Sequence, residues 1–414
     1  LSAGRTVTHP PPLQPLPPPD RIALMDIVRG VALLGILLMN IEAFTGPLDL
    51  SFTGIDPHWQ GLDYAADALV YVLVQGKFFL LFSLMFGAGF AVMEQRARQA
   101  GRRFVPMYLR RSAVLLLIGA GHALLLWSGD ILMVYALLSF PLLLCRRLPL
   151  PLLPVAGVLC YLLAVGLTVL FSAAVLLAAS SGTVLDNGPS MAMAEQIIQA
   201  QRQAYGSGSW LQATAQRADD VRRMIGGLLI TGPEVFGMFL LGMWFTRSGA
   251  LAQPERFAGL YRRLRCWAGP LGLVLVLLGA VWHPYMAPGE FTAVTGVAYA
   301  VGAVGSLLMC LGYLAWIVRW RHRLGAFAAP GRMALSNYLL QSLLCTGLFY
   351  GYGLGAFEVL PRSAQLPVAL GLFALQLLAS HVWLGRFRFG PVEWLWRCAT
   401  YLRVAPLRSA TPRR

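Results

Sequence analysis

Apolar and polar positions fall along this chain in long blocks, not in residue-by-residue alternation. Ten apolar runs, at about 24–43, 78–93, 107–127, 131–145, 151–179, 225–246, 267–283, 292–318, 332–352 and 366–384, are separated by polar or basic connectors. A membrane crossing takes about 20 helical residues. The pattern therefore predicts an all-α fold, a polytopic transmembrane helix bundle of about ten spans. The first run lacks a small-residue cleavage site and is followed by many more, so it reads as a retained span and not a signal peptide.

The remaining segments complete the layout. Residues 1–20 form a disordered Pro-rich tail, with Pro10 to Pro19 of polyproline character. Residues 44–60 are a loop broken by Gly and Pro. Gly61 to Val74 predicts a helix along the interface with Asp63 and Asp67 on one face, broken at Gln75-Gly76-Lys77. The one long polar stretch, 181–222, carries a helical segment near 191–203. This gives an N-terminal transmembrane half at 21–180, an extracytoplasmic segment at 181–222, a C-terminal half at 223–402 and a basic tail at 403–414.

Composition agrees. The chain is 57% hydrophobic and 12% charged, whereas soluble domains carry about 25% charged residues. The net charge of +15 comes from arginines in short connectors: six at 94–111, then Arg146 and Arg147, five at 247–265, 319–323, and the tail. With the first of these in the cytoplasm, alternate counting puts them all there and leaves both termini cytoplasmic. Trp59, Trp127, Trp210 and Trp282 then fall near the outer boundary, and Trp244, Trp267, Trp316, Trp320, Trp394 and Trp396 near the inner one. A nucleic-acid stripe is not what this charge describes. The six cysteines sit in apolar runs or beside basic loops, without CxxC spacing, so neither a disulfide framework nor a metal site is expected. The expected partners are the lipid bilayer and a small-molecule or glycan acceptor, with a homo-oligomer left open.

Ionisable residues at the edge of a span are costly unless paired and mark candidate sites. Asp26 and Arg29 share one helix face at the mouth of the first run, suited either to a plain ion pair or to clamping an anionic group, with Asn40 about 20 Å further on. His122 lies two turns inside the third run, and Asp130 opens the fourth across the Ser128-Gly129 turn. A carboxylate that fixes an imidazole tautomer makes a general base, although Asp130 is equally a plausible helix cap. Lys77 either snorkels to the interface or joins these groups. Glu234 sits inside the sixth run. Arg332, Asn337, Tyr338 and Gln341 occupy Gly331–Gln341, either as glue between helices or as a polar wall. Glu393 and Arg397, at i and i+4 after Pro391, are spaced to pair on an interfacial cytoplasmic helix. No GxGxxG, P-loop, HExxH or G-x-S-x-G pattern occurs.

Five segments carry a resemblance: Leu24–Ile36 with its D-x-x-R-G core, Gly76–Gly87, Gly121–Leu132, Gly331–Ser342, and Phe389–Arg397. In that order they resemble the YeiB-type bacterial membrane proteins, which carry a C-terminal domain of unknown function 418. The resemblance covers residues 21 to about 402 and implies a multi-pass protein of the bacterial inner (plasma) membrane, loosely described as transport-related. The D-x-x-R-G opening is also similar to that of acyltransferase-3 proteins and heparan-glucosaminide acetyltransferase. There an acyl group from cytoplasmic acyl-CoA reaches an acceptor on the far side, with a membrane-embedded His central. That likeness implies acyl-CoA as donor, no metal, and His122 or His58 in the part of that histidine. Two functions stay open: a transmembrane acyltransferase with an inner mouth of Arg29, Arg110, Arg111 and Arg332 and a His122–Asp130 base, or a solute transporter gated by the same clusters.

Overall fold

A computed structural model describes residues 22–181, 187–290 and 292–408. The Pro-rich tail and the last residues of the basic tail lie outside the described residues. All regular structure among the described residues is helical, in fifteen α-helices joined by short 3₁₀ or π turns and loops.

Helix α1 (Ala23–Thr45) is the axis. Its side chains enter both main apolar cores, one reaching from Leu24 to Val318 and the other from Leu33 to Phe373. A span that touches lipid on one side would show an apolar face to it. α1 is instead buried over two thirds of its most apolar window, because other helices surround it.

The next helices are α2 (Gly61–Leu73), α3 (Phe78–Gln99), α4 (Phe104–Leu125), α5 (Leu132–Leu142) and α6 (Leu152–Ser180). Gly76, at φ +78, supplies the left-handed turn that breaks α2 from α3. Helix α7 (Gly188–Gly206) precedes α8 (Trp210–Arg247). Residues 210–222, read from polarity as part of an outer segment, are the first third of α8. A Ser209 capping box fixes its start.

The C-terminal part holds α9 (Ala258–Arg263), α10 (Gly269–Trp282), α11 (Ala293–Trp320), α12 (Ala328–Arg332), α13 (Ala334–Phe349), α14 (Arg362–Arg386) and α15 (Pro391–Tyr401). Among the described residues, eight helical segments are long and apolar enough to cross a membrane by length and composition. The fourth and ninth expected spans correspond to α5, of 11 residues, and α13, of 16. The protein is a multi-pass membrane protein with apolar side chains turned to lipid along α6, α10 and α14.

Glycines set the closest approaches. A Cβ on Gly30 would fall 2.0 Å from the Phe327 carbonyl oxygen, and one on Gly331 1.8 Å from that of Asp26. The glycine that follows Arg29 is there because α12 packs on the backbone of α1 at that point.

Candidate functional site

Two cavities lie end to end along α1. The first, about 190 Å³, surrounds the Asp26 end. The second, about 470 Å³, surrounds Asn40. Ile36, Ile131 and Tyr338 line both and so form the partition between them.

The first cavity is basic. Arg29, Arg111, Arg332 and Arg397 line it, with Asp26 and Glu393 as its acids. Arg29 Nη1 lies 3.5 Å from Asp26 Oδ1, and its Nη2 donates to the Met85 carbonyl at 3.4 Å. Arg111 stacks on the Trp396 ring at 3.5 Å, and the Trp396 indole N–H donates to the Arg111 carbonyl. Arg332 donates to the Arg388 carbonyl at 3.3 Å. Arg110 is turned away, donating to the Thr400 carbonyl.

Glu393 does not serve the local role its spacing offered. Its carboxylate accepts from the backbone N–H of Leu335 at 2.8 Å and of Ser336 at 3.0 Å, and from the Ser336 hydroxyl. The N-terminus of α13 has unsatisfied N–H groups and a partial positive charge, which draw the acid across from α15. Burial pushes the Glu393 carboxyl above its ordinary range, against the opposing pull of these hydrogen bonds. Arg397 instead has its guanidinium over the Phe389 ring at 4.6 Å.

Against the partition lies the His122–Asp130 pair. Asp130 Oδ1 is 2.7 Å from His122 Nδ1, and Asp130 Oδ2 accepts from the Met133 N–H at 2.6 Å. One carboxylate thus both orients the ring and caps α5. The second ring nitrogen, Nε2, is 2.8 Å from Ser342 Oγ on α13. With Asp130 as acceptor at Nδ1, Nε2 is left to accept from the Ser342 hydroxyl. The order Ser–His–carboxylate is that of a general-base triad. All of it is buried: the His122 and Asp130 side chains are 0% exposed. Asp130 and Tyr338 line the second cavity, and the imidazole lies behind them with its ring 5.1 Å from that of Tyr338. His58, in contrast, is 84% exposed and bonded to Asp56. The bundle interior therefore holds His122 and not His58.

The second cavity brings together Asn40, Lys77, Glu234 and Asp130. Lys77 is 2% exposed and donates to the Tyr71 carbonyl at 2.8 Å. The snorkelling that its position allowed does not occur, because the break at Gly76 turns the side chain inward. Glu234 follows Pro233 within α8 and accepts from the Tyr299 hydroxyl at 3.3 Å. A pair of backbone links, Ile55 N to Pro284 O and Met286 N to Thr53 O, joins two loops over this cavity.

Asn337 and Gln341 do not line either of these two cavities. Asn337 donates to Ser380 Oγ at 2.9 Å, Gln341 to Gln376 Oε1 at 2.9 Å, and Gln376 to the Asn337 carbonyl. Their helix face meets α14, where polar side chains in an apolar setting bind one another, so the wall reading gives way to interhelical glue.

Sequence reasoning missed three groups. Ser342 is one position beyond Gln341, and only the packing of α13 on α4 reveals its partner. Arg362, 1% exposed, lies 3.1 Å from Glu42 and 2.8 Å from Asp67. Asp220 accepts from Gln201, Tyr205, Ser128 and Arg223, and so ties α7 and α8 to the turn that carries Asp130. Asp219 and Asp220 are adjacent in a polar stretch, and spacing alone does not single out the second.

Residues 245–403 match the family described as Protein of unknown function (DUF418). The uncharacterized protein YxaH of Bacillus subtilis (strain 168) is 37% identical over 96% of this chain and 99% of its own. YeiB of Escherichia coli (strain K12) is 33% identical over 95% of this chain and 100% of its own. An uncharacterized 39.9 kDa protein from Bacillus acidopullulyticus is 27% identical over 95% of this chain.

Proposed function

This chain belongs to the YeiB-like family of DUF418 membrane proteins, and from that premise we propose that it is a transmembrane acyltransferase of the bacterial inner membrane. In this reading it crosses the membrane ten times with both termini cytoplasmic, α5 and α13 being short crossings inside the bundle. The Arg-lined cavity opens on the cytoplasmic side and receives the acyl end of an acyl-CoA. The Asn40 cavity holds the acceptor at the outer face.

The observation that carries the reading is the meeting of the two cavities at Ile36, Ile131 and Tyr338, with His122 and Asp130 directly behind that partition. A thioester carbonyl held on one side and a hydroxyl or amine held on the other would be separated only by side chains that can rotate. The first cavity, about 190 Å³, is below the usual 300–1,000 Å³ of a whole small-molecule site. It suits the pantetheine end with the phosphate nearest it, the rest of the nucleotide lying outside. Four guanidiniums there favour phosphate by charge and by fork geometry.

The chemistry follows from His122. Asp130 fixes its tautomer, leaving Nε2 as the basic atom. In the resting arrangement Nε2 holds the Ser342 hydroxyl, and the acceptor takes that place when Tyr338 swings aside. The acceptor's proton passes to Nε2, its oxygen or nitrogen attacks the thioester carbonyl, and the C–S bond breaks to release CoA thiolate, which recovers the proton. The transporter reading draws on the broken α2–α3 pair and on Lys77 and Glu234. In it Glu234 or His122 carries a proton.

Donor binding tests the cytoplasmic half. Purified protein titrated with CoA should be stabilised against heat, and Arg29→Gln and Arg111→Gln should each weaken binding by about tenfold. Equal affinity in wild type and both variants would sink the assignment of this cavity to the donor.

A further inference from the structure

The second cavity carries two ionisable side chains of opposite type, a basic and an acidic one, that the protein does not pair with each other. Lys77, 2% exposed, makes one hydrogen bond, to a backbone carbonyl, and Glu234, 6% exposed, accepts one, from Tyr299. No ion pair to either occurs among the described residues. The third ionisable group of this wall, Asp130, is already spent on His122 and the Met133 N–H. A buried charge without a counter-ion is costly, so a ligand that brings an anionic group to the amine and a cationic group to the carboxyl would favour the charged form of each.

Their spacing has a scale. Gly76, next to Lys77, abuts Ser306 of α11, while Glu234 meets Tyr299 of the same helix. Tyr299 and Ser306 are two turns apart, roughly 10 Å along the axis. With the two elements held this far apart along α11, a ligand head that carries an anionic and an ammonium group can reach both, with a hydrogen bond of about 3 Å at each end.

The rest of the wall is apolar, with Phe79, Leu80, Val134, Val235, Val276 and Ala298. A buried, unpartnered imidazole nitrogen, Nδ1 of His283, also lies at this cavity. The protein provides that atom with no partner.

We infer that the second cavity binds a zwitterionic amphiphile, with its anionic group on Lys77, its ammonium on Glu234 and its chain along the apolar wall. The inference rests on the reading of this cavity as the acceptor site and gives that acceptor a chemical class. An ammonium delivered to Glu234 would sit across the partition from the reacting carbonyl.

The test needs no donor and no turnover. Full-length protein, stripped of lipid in detergent, is titrated with phosphatidylethanolamine, phosphatidylglycerol or the chain-free head glycerophosphoethanolamine, and retention is read by native mass spectrometry. Wild type should hold phosphatidylethanolamine at least about tenfold more tightly than phosphatidylglycerol, which lacks the ammonium. Glu234→Gln should erase that preference while keeping phosphatidylglycerol binding, and Lys77→Met should weaken both lipids. Equal binding of the two lipids by wild type, or a preference that survives Glu234→Gln, overturns the inference. Displacement of lipid by the chain-free head at equal concentration makes the ligand a soluble zwitterion and overturns its amphiphilic half. Because no acyl-CoA is present, a negative result here leaves the donor-binding test of the first cavity untouched.

Discussion

His122 Nδ1 and Asp130 Oδ1 stand 2.7 Å apart, with both side chains sealed from solvent. They are eight positions apart, and the turn at Ser128-Gly129 brings the start of α5 back on the end of α4. Asp130 also accepts from the Met133 N–H, so its two oxygens divide structure from chemistry. Asp130→Asn should preserve most of the cap, since Asn is as good a capping residue as Asp. It should abolish acyl transfer, because an amide does not hold the imidazole in the required tautomer as a carboxylate does. Thermal melting and turnover measured on the same preparation separate the two effects.

Ser342 is the resting partner of Nε2 in this account and not a nucleophile. Ser342→Ala should therefore cost about 1 kcal/mol of stability, the usual net value of a hydrogen bond, and leave transfer within a few-fold of wild type. A loss as complete as that of His122→Gln, together with an acyl group trapped on Ser342 in wild type, would assign it the covalent role.

Arg362 joins α14 to α1 and α2 through Glu42 and Asp67. Arg362→Leu leaves the buried Asp67 carboxylate and the half-buried Glu42 carboxylate without their shared cation. The expected cost is about 3–5 kcal/mol, seen as a collapse of folded yield. Adding Glu42→Gln and Asp67→Asn should restore much of it, in a triple variant compared by fluorescence-detected size exclusion.

Glu393 gives a pH signature. Burial holds its carboxyl above the ordinary value of 4.5, so the folded state favours the protonated form more than the unfolded state does. Stability is thus greatest at and below the ordinary carboxylate range and falls as pH rises from it through the raised value. Glu393→Gln keeps an acceptor for α13 and removes the titration. Its melting temperature should be flatter across that window than that of wild type.

The parts of the fold that were legible in sequence are those set by local pattern. Apolar blocks place α1, α3, α4, α6, α10, α11 and α14 within a few residues. A Gly-containing turn of known tightness places Asp130 against His122. What was not legible depends on which helices meet. Glu393 and Arg397 have the spacing of a helix pair, yet the acid is drawn to the α13 N-terminus because that end lacks partners of its own. Asn337 and Gln341 have the look of a cavity wall, but the neighbour on that face is α14, with Gln376 and Ser380. Ser342 lies 220 positions from His122, and no spacing rule links two such residues before the helices are packed. Polarity misplaced the start of α8, because a helix that leaves the membrane keeps its hydrogen bonds while its side chains change character.

The most direct test of the central claim is transfer itself. Sealed inverted membrane vesicles containing the protein are supplied on their exposed, cytoplasmic side with acyl-CoA labelled in the acyl group. Label is then followed into covalent products on the lumenal side, for wild type and for His122→Gln matched in amount and melting temperature. The account predicts donor-dependent covalent label inside wild-type vesicles and none above background with His122→Gln. Equal labelling by the two proteins, or label that enters only as an unmodified solute, would contradict it.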